Sequence, residues 1–205
     1  MDADGQDSPK LPKPMNRCFR IPRGAVKIPI PDAPQETNYT CGAAALRAIC
    51  HYYGVGPSDE RVIAKDMSVD PRVGANPNQI IEAAQKYGLI HQVGQPMLIN
   101  DLIRRIDLHR PTMCMLQAYG RQRLHYENDW KDGHWVVAVG YDKCGVYFED
   151  PSQTLPRGYL PYPELQARWH DTGRRGKHLL YYGVSLWRTT KHLHPQYLKF
   201  ATHMP

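Results

Sequence analysis

The sequence predicts an α+β fold, because its first half carries helix patterns and its second half carries strand patterns. Up to Pro111, apolar residues recur at helical intervals between recognisable start and stop signals. After Pro111, short runs rich in Val, Tyr, Trp and Leu alternate with turn residues. We therefore expect a helical part followed by an antiparallel sheet.

Four helices are predicted in the first half. The first begins at about Cys41 in an Ala-rich run and ends at Gly54, a natural C-terminal cap. The second lies in PSDERVIAKDM, with Ser58 as its N-cap. In the third, GANPNQIIEAAQKYGL, Asn76 can cap the helix and Pro77 suits its first position. The fourth, INDLIRRIDLHRP, spaces its apolar side chains at helical intervals.

Four strands are predicted in the second half, within PTMCMLQAY, HWVVAVGYD, GVYFEDP and KHLLYYGVSLW. The segment DKCG is short enough to join the second and third strands as a hairpin. Before the second strand lies the long loop GRQRLHYENDWKDG, residues 120–133. A loop of this length either gates a cleft or is a solvated insertion, and the sequence leaves both readings open.

We expect one domain over residues 31–188, with its helical part at 31–110 and its sheet part at 111–188. Residues 1–30 contain five prolines and few large apolar residues, which predicts an extended N-terminal arm. Residues 189–205 are expected to form a C-terminal tail.

Composition narrows the classes of function. The chain has 205 residues, 41% of them hydrophobic, which fits one domain with its own core. The net charge is +6, but the basic residues are scattered, which argues against a nucleic-acid partner. The five cysteines are widely spaced without a CxxC pair, and HLH at residues 192–194 offers only two imidazoles. We therefore expect no disulfide framework, no metal and no cofactor.

The sequence also lacks targeting signals for secretion or membranes. The N-terminal stretch MDADGQDSPKLPKPMNR has no apolar core of the kind that a signal peptide needs. No stretch approaches the roughly 18 to 20 apolar residues of a membrane span. We expect a cytoplasmic protein without a membrane partner.

Cys41 is a candidate nucleophile, because it stands at the start of the first predicted helix. A helix N-terminus presents unpaired N–H groups and the positive end of the helix dipole, and both favour a thiolate. The lower thiol pKa that results makes a cysteine nucleophilic at neutral pH. The alternative is a small buried residue at the start of a core helix.

His134 and Asp150 are candidate partners for this thiol. His134 opens one strand of the predicted hairpin and Asp150 closes the other, so the two side chains should be neighbours. An imidazole can exchange a proton with the thiol, and a carboxylate can fix the ring's tautomer. Gln35, six positions before Cys41, could supply a side-chain amide to a developing oxyanion. Taken singly, each residue has a simpler explanation: His134 as a strand-edge residue, Asp150 as part of an Asp-Pro turn, and Gln35 as a surface residue.

Together these residues resemble a known family. The pattern Q-x5-CG with an Ala-rich helix ending in YYG, followed by GHWVVAVGYD and EDP, is similar to the bacteriocin-processing (double-glycine leader) peptidases, which are papain-like cysteine peptidases. The resemblance covers roughly residues 34–151. It implies a papain-like fold, with the helical subdomain carrying the thiol, the sheet subdomain carrying histidine and aspartate, and a cleft between them.

The resemblance also implies roles: Cys41 as nucleophile, His134 as general base and then acid, and Asp150 as the residue that orients it. Gln35 is then an oxyanion-hole donor together with the Cys41 backbone N–H. We expect a cysteine peptidase that cleaves a peptide or isopeptide bond of a peptide or protein substrate through a thioester. The alternatives are a papain-like acyltransferase and a peptide-binding module without catalysis.

Overall fold

The computed structural model of the protein describes residues 19–118, 126–153, 157–189 and 200–204. Its helices are α1 (Cys41–Tyr53), α2 (Glu60–Asp66), α3 (Pro77–Lys86), α4 (Ile99–Asp107) and α5 (Tyr162–Arg168). Its strands are β1 (Phe19–Arg20), β2 (Ile90–Gly94), β3 (Thr112–Gln117), β4 (Gly133–Tyr141), β5 (Gly145–Glu149), β6 (Arg157–Pro161), β7 (His170–Thr172), β8 (His178–Leu180), β9 (Gly183–Trp187) and β10 (Phe200–His203). Most helices precede most strands, which confirms the α+β class.

Eight of these strands form one sheet in the order β1-β10-β6-β5-β4-β3-β9-β2. The central strands β3, β4, β5 and β6 pair in antiparallel fashion, whereas β10 runs parallel to β6. Strands β7 and β8 form a separate two-stranded sheet. Helix α1 packs against β4, and Gly42 near the start of the helix lies against Trp135 near the start of the strand.

The four predicted helices are confirmed, with one error in a cap. Helix α1 begins at Cys41, and Gly54 caps it in the left-handed conformation with φ 65°. Asn76 caps α3, where its side chain and Gln79 form a capping box. The N-cap of α2 is Asp59 and not Ser58, because the Asp59 carboxylate accepts a hydrogen bond from the backbone N–H of Arg61.

The predicted hairpin is also confirmed. Strands β4 and β5 pair with Val137 opposite Glu149, so the start of β4 lies beside the end of β5. The run KHLLYYGVSLW, in contrast, is two strands rather than one. Tyr181 has a positive φ of 51° and its N–H bonds to the carbonyl of Trp169, which ends β8 before β9 begins.

The end of the predicted arm packs into the domain. Ala25, Ile28 and Ile30 are buried, and the N–H groups of residues 27 and 28 both bond to the carbonyl of Val139. Gly140 allows this approach, since a Cβ there would lie 2.3 Å from the Ala25 carbonyl oxygen. Residues 1–18 lie outside the described part, so the extended arm stays a prediction for them.

The sequence patterns missed several short elements. Strand β2 lies within the predicted helical part and pairs with β9, and β10 lies within the predicted tail and pairs with β6. Both are edge or near-edge strands whose pairing joins distant segments. Across the described ranges, no helix combines the length and apolar character needed to cross a bilayer.

Candidate active site

Cys41 is the first residue of α1, where the helix meets β4. Its side chain is 8% exposed and lines a groove of about 1000 Å³. Gly42 brings the helix close to its neighbours, because a Cβ at that position would lie 2.9 Å from Ala75 Cβ and 3.1 Å from Trp135 Cδ1. The thiol is therefore buried in the protein and still borders the groove.

His134 lies opposite Leu116 in the β3–β4 ladder and is 2% exposed. Its Nε2 is 2.7 Å from Oδ1 of Asp150, as the hairpin register predicts. Its side chain also hydrogen-bonds to the thiol of Cys41. Because Nε2 is held by Asp150, Nδ1 is the ring nitrogen left for the thiol. The structure thus joins Cys41, His134 and Asp150 into one chain of hydrogen bonds.

The residues after Asp150 hold its carboxylate in place. The backbone N–H and hydroxyl of Ser152 donate to Oδ1 at 2.9 and 2.8 Å, and Gln153 Nε2 donates to Oδ2 at 2.8 Å. Burial raises the pKa of Asp150, but the charge and hydrogen bond of His134 and the Ser152 donors outweigh it and lower the pKa. Asp150 is therefore an anion beside the imidazole at neutral pH.

The electrostatics of the thiol and the imidazole favour a charged pair. Burial raises the Cys41 pKa, but the hydrogen bond and charge of His134 and the backbone N–H groups of Trp135 and Gly42 lower it overall. Burial lowers the His134 pKa, yet Asp150 and Cys41 raise it to about 10. Both shifts favour a thiolate beside an imidazolium over a neutral thiol beside a neutral imidazole.

A second buried carboxyl, Glu149, precedes Asp150. Its Oε1 accepts the N–H of Ala33 at 3.2 Å, and its Oε2 has no hydrogen-bond partner among the described residues. Burial raises the Glu149 pKa to about 8, although Arg157 lowers it. Glu149 is therefore largely neutral at pH 7, and Asp150 is the carboxylate that faces His134.

Gln35 reaches the same region by its backbone rather than by its side chain. Its N–H bonds to the carbonyl of Pro151 at 2.8 Å, which holds the loop before α1 against the end of β5. Its Nε2 donates to the carbonyl of Thr37 at 2.6 Å, while Oε1 is buried without a partner among the described residues. The described hydrogen bonds do not connect its amide to Cys41.

Two charged residues clamp the loop that carries Gln35. Arg47 on α1 donates to the carbonyl of Pro34 at 2.7 Å, and Glu60 on α2 accepts the N–H of Glu36 at 2.9 Å. Arg47 and Glu60 also approach each other at 3.4 Å, and the Glu60 side chain is only 1% exposed. The clamp therefore holds the backbone on both sides of Gln35.

The sequence patterns missed the supporting residues, although one signal was available. Ser at the second position after an aspartate, as in EDPS, is a common turn pattern in which the carboxylate accepts the serine N–H. That pattern could have indicated Ser152. Arg47 and Glu60 carried no such signal, because their pairing depends on how α1 and α2 pack.

Among the residues that the structure describes, no three His, Cys, Asp or Glu side chains cluster as a metal site requires. The two imidazoles at residues 192–194 lie outside the described residues.

Comparison with known proteins identifies the fold. The peptidase domain of Streptococcus ComA, described as a bi-functional ABC transporter in quorum sensing, is 19% identical with a TM-score of 0.56 over 75% of this chain and 95% of that one. A C39-like peptidase from Bacillus anthracis is 16% identical with a TM-score of 0.61, over 82% and 98% of the two chains.

A third structure contains a ligand. The double-glycine motif protease of an AMS/PCAT transporter, solved in complex with the leader peptide, is 19% identical with a TM-score of 0.53, over 82% and 96% of the two chains. These likenesses show that the chain has the papain-like α+β fold of C39 peptidase domains.

Sequence comparison gives the family. No curated protein matches the chain. The model of the Peptidase C39-like family matches residues 27–177. This range covers most of the chain and includes Cys41, His134 and Asp150. The chain belongs to the Peptidase C39-like family.

Proposed function

We propose that the protein is a cysteine peptidase that cleaves a peptide or isopeptide bond through a thioester acyl-enzyme. The hydrogen-bonded chain from Cys41 through His134 to Asp150 is the observation that carries this proposal. Membership of a peptidase family supports it, as does the groove that Cys41 borders.

The first half of the reaction forms the acyl-enzyme. The Cys41 thiolate attacks the carbonyl carbon of the scissile bond, and the carbonyl oxygen becomes an oxyanion. His134, already an imidazolium, then gives its proton to the leaving amine as the C–N bond breaks. The acyl group remains on Cys41 as a thioester, and His134 is left neutral.

The second half releases the acid. Neutral His134 takes a proton from water, the resulting hydroxide attacks the thioester, and the thiolate leaves while His134 regains its charge. Asp150 keeps Nδ1 of the ring directed at the sulfur and stabilises the imidazolium in both halves. An amine in place of water would give acyl transfer with the same groups.

Gln35 is proposed as the oxyanion donor together with the Cys41 backbone N–H. An amide nitrogen carries two N–H groups, and the Thr37 carbonyl takes one of them. The second N–H can serve the substrate oxygen. The clamp formed by Arg47 and Glu60 supports this role, because it holds the backbone of the loop that carries Gln35.

A peptide library derived from a digested proteome tests the proposal without a known substrate. Wild-type protein and Cys41→Ala are incubated with the library, and new termini are identified by mass spectrometry. We expect products from the wild type and from Cys50→Ala, a matched change in the last turn of α1, and none from Cys41→Ala. Products that persist in Cys41→Ala would refute the proposed nucleophile. Peptide binding without any Cys41-dependent product would favour the binding-module alternative.

A further inference from the structure

Asp171 on β7 is a buried acidic residue that borders the groove together with Cys41. Its side chain has no role in the chain of hydrogen bonds from Cys41 to Asp150. The residue is only 8% exposed, which is unusual for an aspartate that has no ion-pair partner among the described residues.

One carboxylate oxygen of Asp171 is held firmly. Oδ1 accepts the backbone N–H of Thr172 at 2.7 Å and the Nε2 of Gln117 at 3.1 Å. Gln117 is itself fully buried and is fixed by the carbonyl of His170 and the N–H of Asp132. These hydrogen bonds therefore fix the orientation of the Asp171 carboxylate.

The other oxygen, Oδ2, has no hydrogen-bond partner among the described residues, and it lies against Gly133. A Cβ at Gly133 would be 2.1 Å from Oδ2, so this position must be glycine for Asp171 to remain where it is. Gly133 is the residue immediately before His134. The unpaired oxygen therefore lies beside the backbone at the start of β4, one residue before His134, whose side chain points to the other face of the strand.

Among the described residues, no cationic side chain balances the charge of Asp171. Burial raises the Asp171 pKa to about 6, with Asp129 adding to the effect, so the group is still mostly ionised at neutral pH. Lys131 and Arg175 also border the groove, but both are exposed and neither is within ion-pair distance of Asp171. A partly buried anion without a partner is stabilised when a cation reaches it.

Trp130 adds an apolar surface next to this anion. Its ring stacks on His178 with centroids 3.8 Å apart, and its carbonyl accepts the hydroxyl of Thr172 at 3.5 Å. Trp130 also borders the groove. The ring also packs against His170, with centroids 4.4 Å apart, so Trp130 is held in place at the border of the groove that Asp171 shares.

We infer that Asp171 forms a subsite for a lysine or arginine side chain of the peptide that lies in the groove. This inference rests on the proposed function in that the groove receives a peptide. It adds a preference for a basic residue near the scissile bond, and it makes Asp171 a specificity residue rather than a catalytic one.

The test uses labelled peptides in which Lys, norleucine, Arg or citrulline is placed at each position in turn. The affinity of each peptide for the Cys41→Ser variant is measured by fluorescence anisotropy. The same peptides are then used to measure kcat/KM with the wild type. Citrulline copies the shape of arginine without its charge. At one position we expect peptides with Lys or Arg to show an affinity and a kcat/KM about tenfold higher than peptides with norleucine or citrulline.

Asp171→Asn should reduce this preference to about one, because asparagine keeps the acceptor for Gln117 and Thr172 but loses the charge. Asp132→Asn removes an exposed charge from the same groove and should leave the preference intact. The subsite would be overturned if Asp171→Asn kept the wild-type preference for Lys or Arg over their neutral partners. It would also be overturned if the wild type showed no such preference at any position, or if no peptide bound.

The two readouts separate this inference from the proposed reaction. Binding that depends on Asp171, without cleavage by the wild type, would retain the subsite and remove the peptidase. Cleavage by the wild type without any preference for a basic residue would retain the peptidase and remove the subsite.

Discussion

Cys41 and Cys50 occupy the two ends of the same helix, nine residues apart, and their thiols differ sharply. Both are buried, and burial by itself raises a thiol pKa. The Cys50 pKa is raised to about 12 by burial alone, whereas the Cys41 pKa is lowered. Burial therefore does not decide which of the two thiols is reactive.

The difference lies in what each sulfur contacts. Cys41 meets His134 and the backbone N–H groups of Trp135 and Gly42, while Cys50 is enclosed near the ring of Tyr87 and the backbone of Gly56. The start of α1 offers N–H groups and its end offers carbonyls, which favours an anion only at the start. A thiolate site thus needs specific donors at a helix start, and the following predictions test those donors in order of expected effect.

Removing the imidazole should have the largest effect. His134→Ala takes away the strongest donor to Cys41 as well as the acid and base of the proposed reaction. We expect turnover of a cleaved peptide to fall by about a thousandfold or more, measured as kcat/KM. Cys41 should then behave as a buried thiol like Cys50. Turnover within tenfold of the wild type would contradict the role given to His134.

Weakening the imidazole's partner should have a smaller effect with a characteristic pH signature. Asp150 raises the His134 pKa, so the imidazolium is present below that pKa and is lost as pH rises through it. Asp150→Asn removes that charge, and the alkaline limb of the pH–rate profile should move to lower pH. We expect kcat to fall about a hundredfold. Ser152→Ala serves as the milder comparison, because it removes the hydroxyl that donates to Asp150 and keeps the backbone N–H that does the same.

Loosening the clamp around Gln35 should reduce turnover without changing the thiol. Glu60→Ala removes the acceptor for the Glu36 N–H and the partner of Arg47, so the loop that carries Gln35 loses its support. We expect kcat to fall about tenfold, less than for loss of an oxyanion donor itself. Cys41 alkylation by iodoacetamide should stay at the wild-type rate. Glu60→Gln keeps the acceptor and should recover part of the loss, and a parallel loss of alkylation would instead indicate general unfolding.

Changing the other cysteine should have the smallest effect. Cys50→Ala leaves the start of α1 untouched, so turnover should remain within about twofold of the wild type. The variant leaves a small void in the core and should lower the free energy of unfolding by about 1 kcal/mol, measured by urea denaturation. A large loss of turnover at unchanged stability would show that Cys50 has a role that its surroundings do not explain.

Local sequence patterns were sufficient to predict the fold class and the pairing of His134 with Asp150 in the site. The Ala-rich run and Gly54 gave α1, and hairpin geometry alone placed His134 beside Asp150. These features depend on neighbours in sequence or on the register of one hairpin. Such information is contained in a single segment of chain.

Features that depend on long-range packing were not accessible in this way. The orientation of the Gln35 amide, the clamp by Glu60, and the anchoring of Asp171 all join segments distant in sequence. Strands β2 and β10 were missed for the same reason, since their pairing follows from the closed fold. Short polar strands carry little pattern of their own.

The most direct measurement is the rate of alkylation of individual cysteines by iodoacetamide as a function of pH, read by mass spectrometry. A thiolate paired with an imidazolium at the start of α1 predicts that Cys41 reacts at pH 5 to 6, where a free cysteine of pKa about 8.5 is almost entirely protonated. Cys50 and Cys114, both buried with raised pKa values, should stay unlabelled in the same sample. A Cys41 rate that follows the titration of free cysteine, and that is unchanged in His134→Ala, would contradict the ion pair and with it the proposed mechanism.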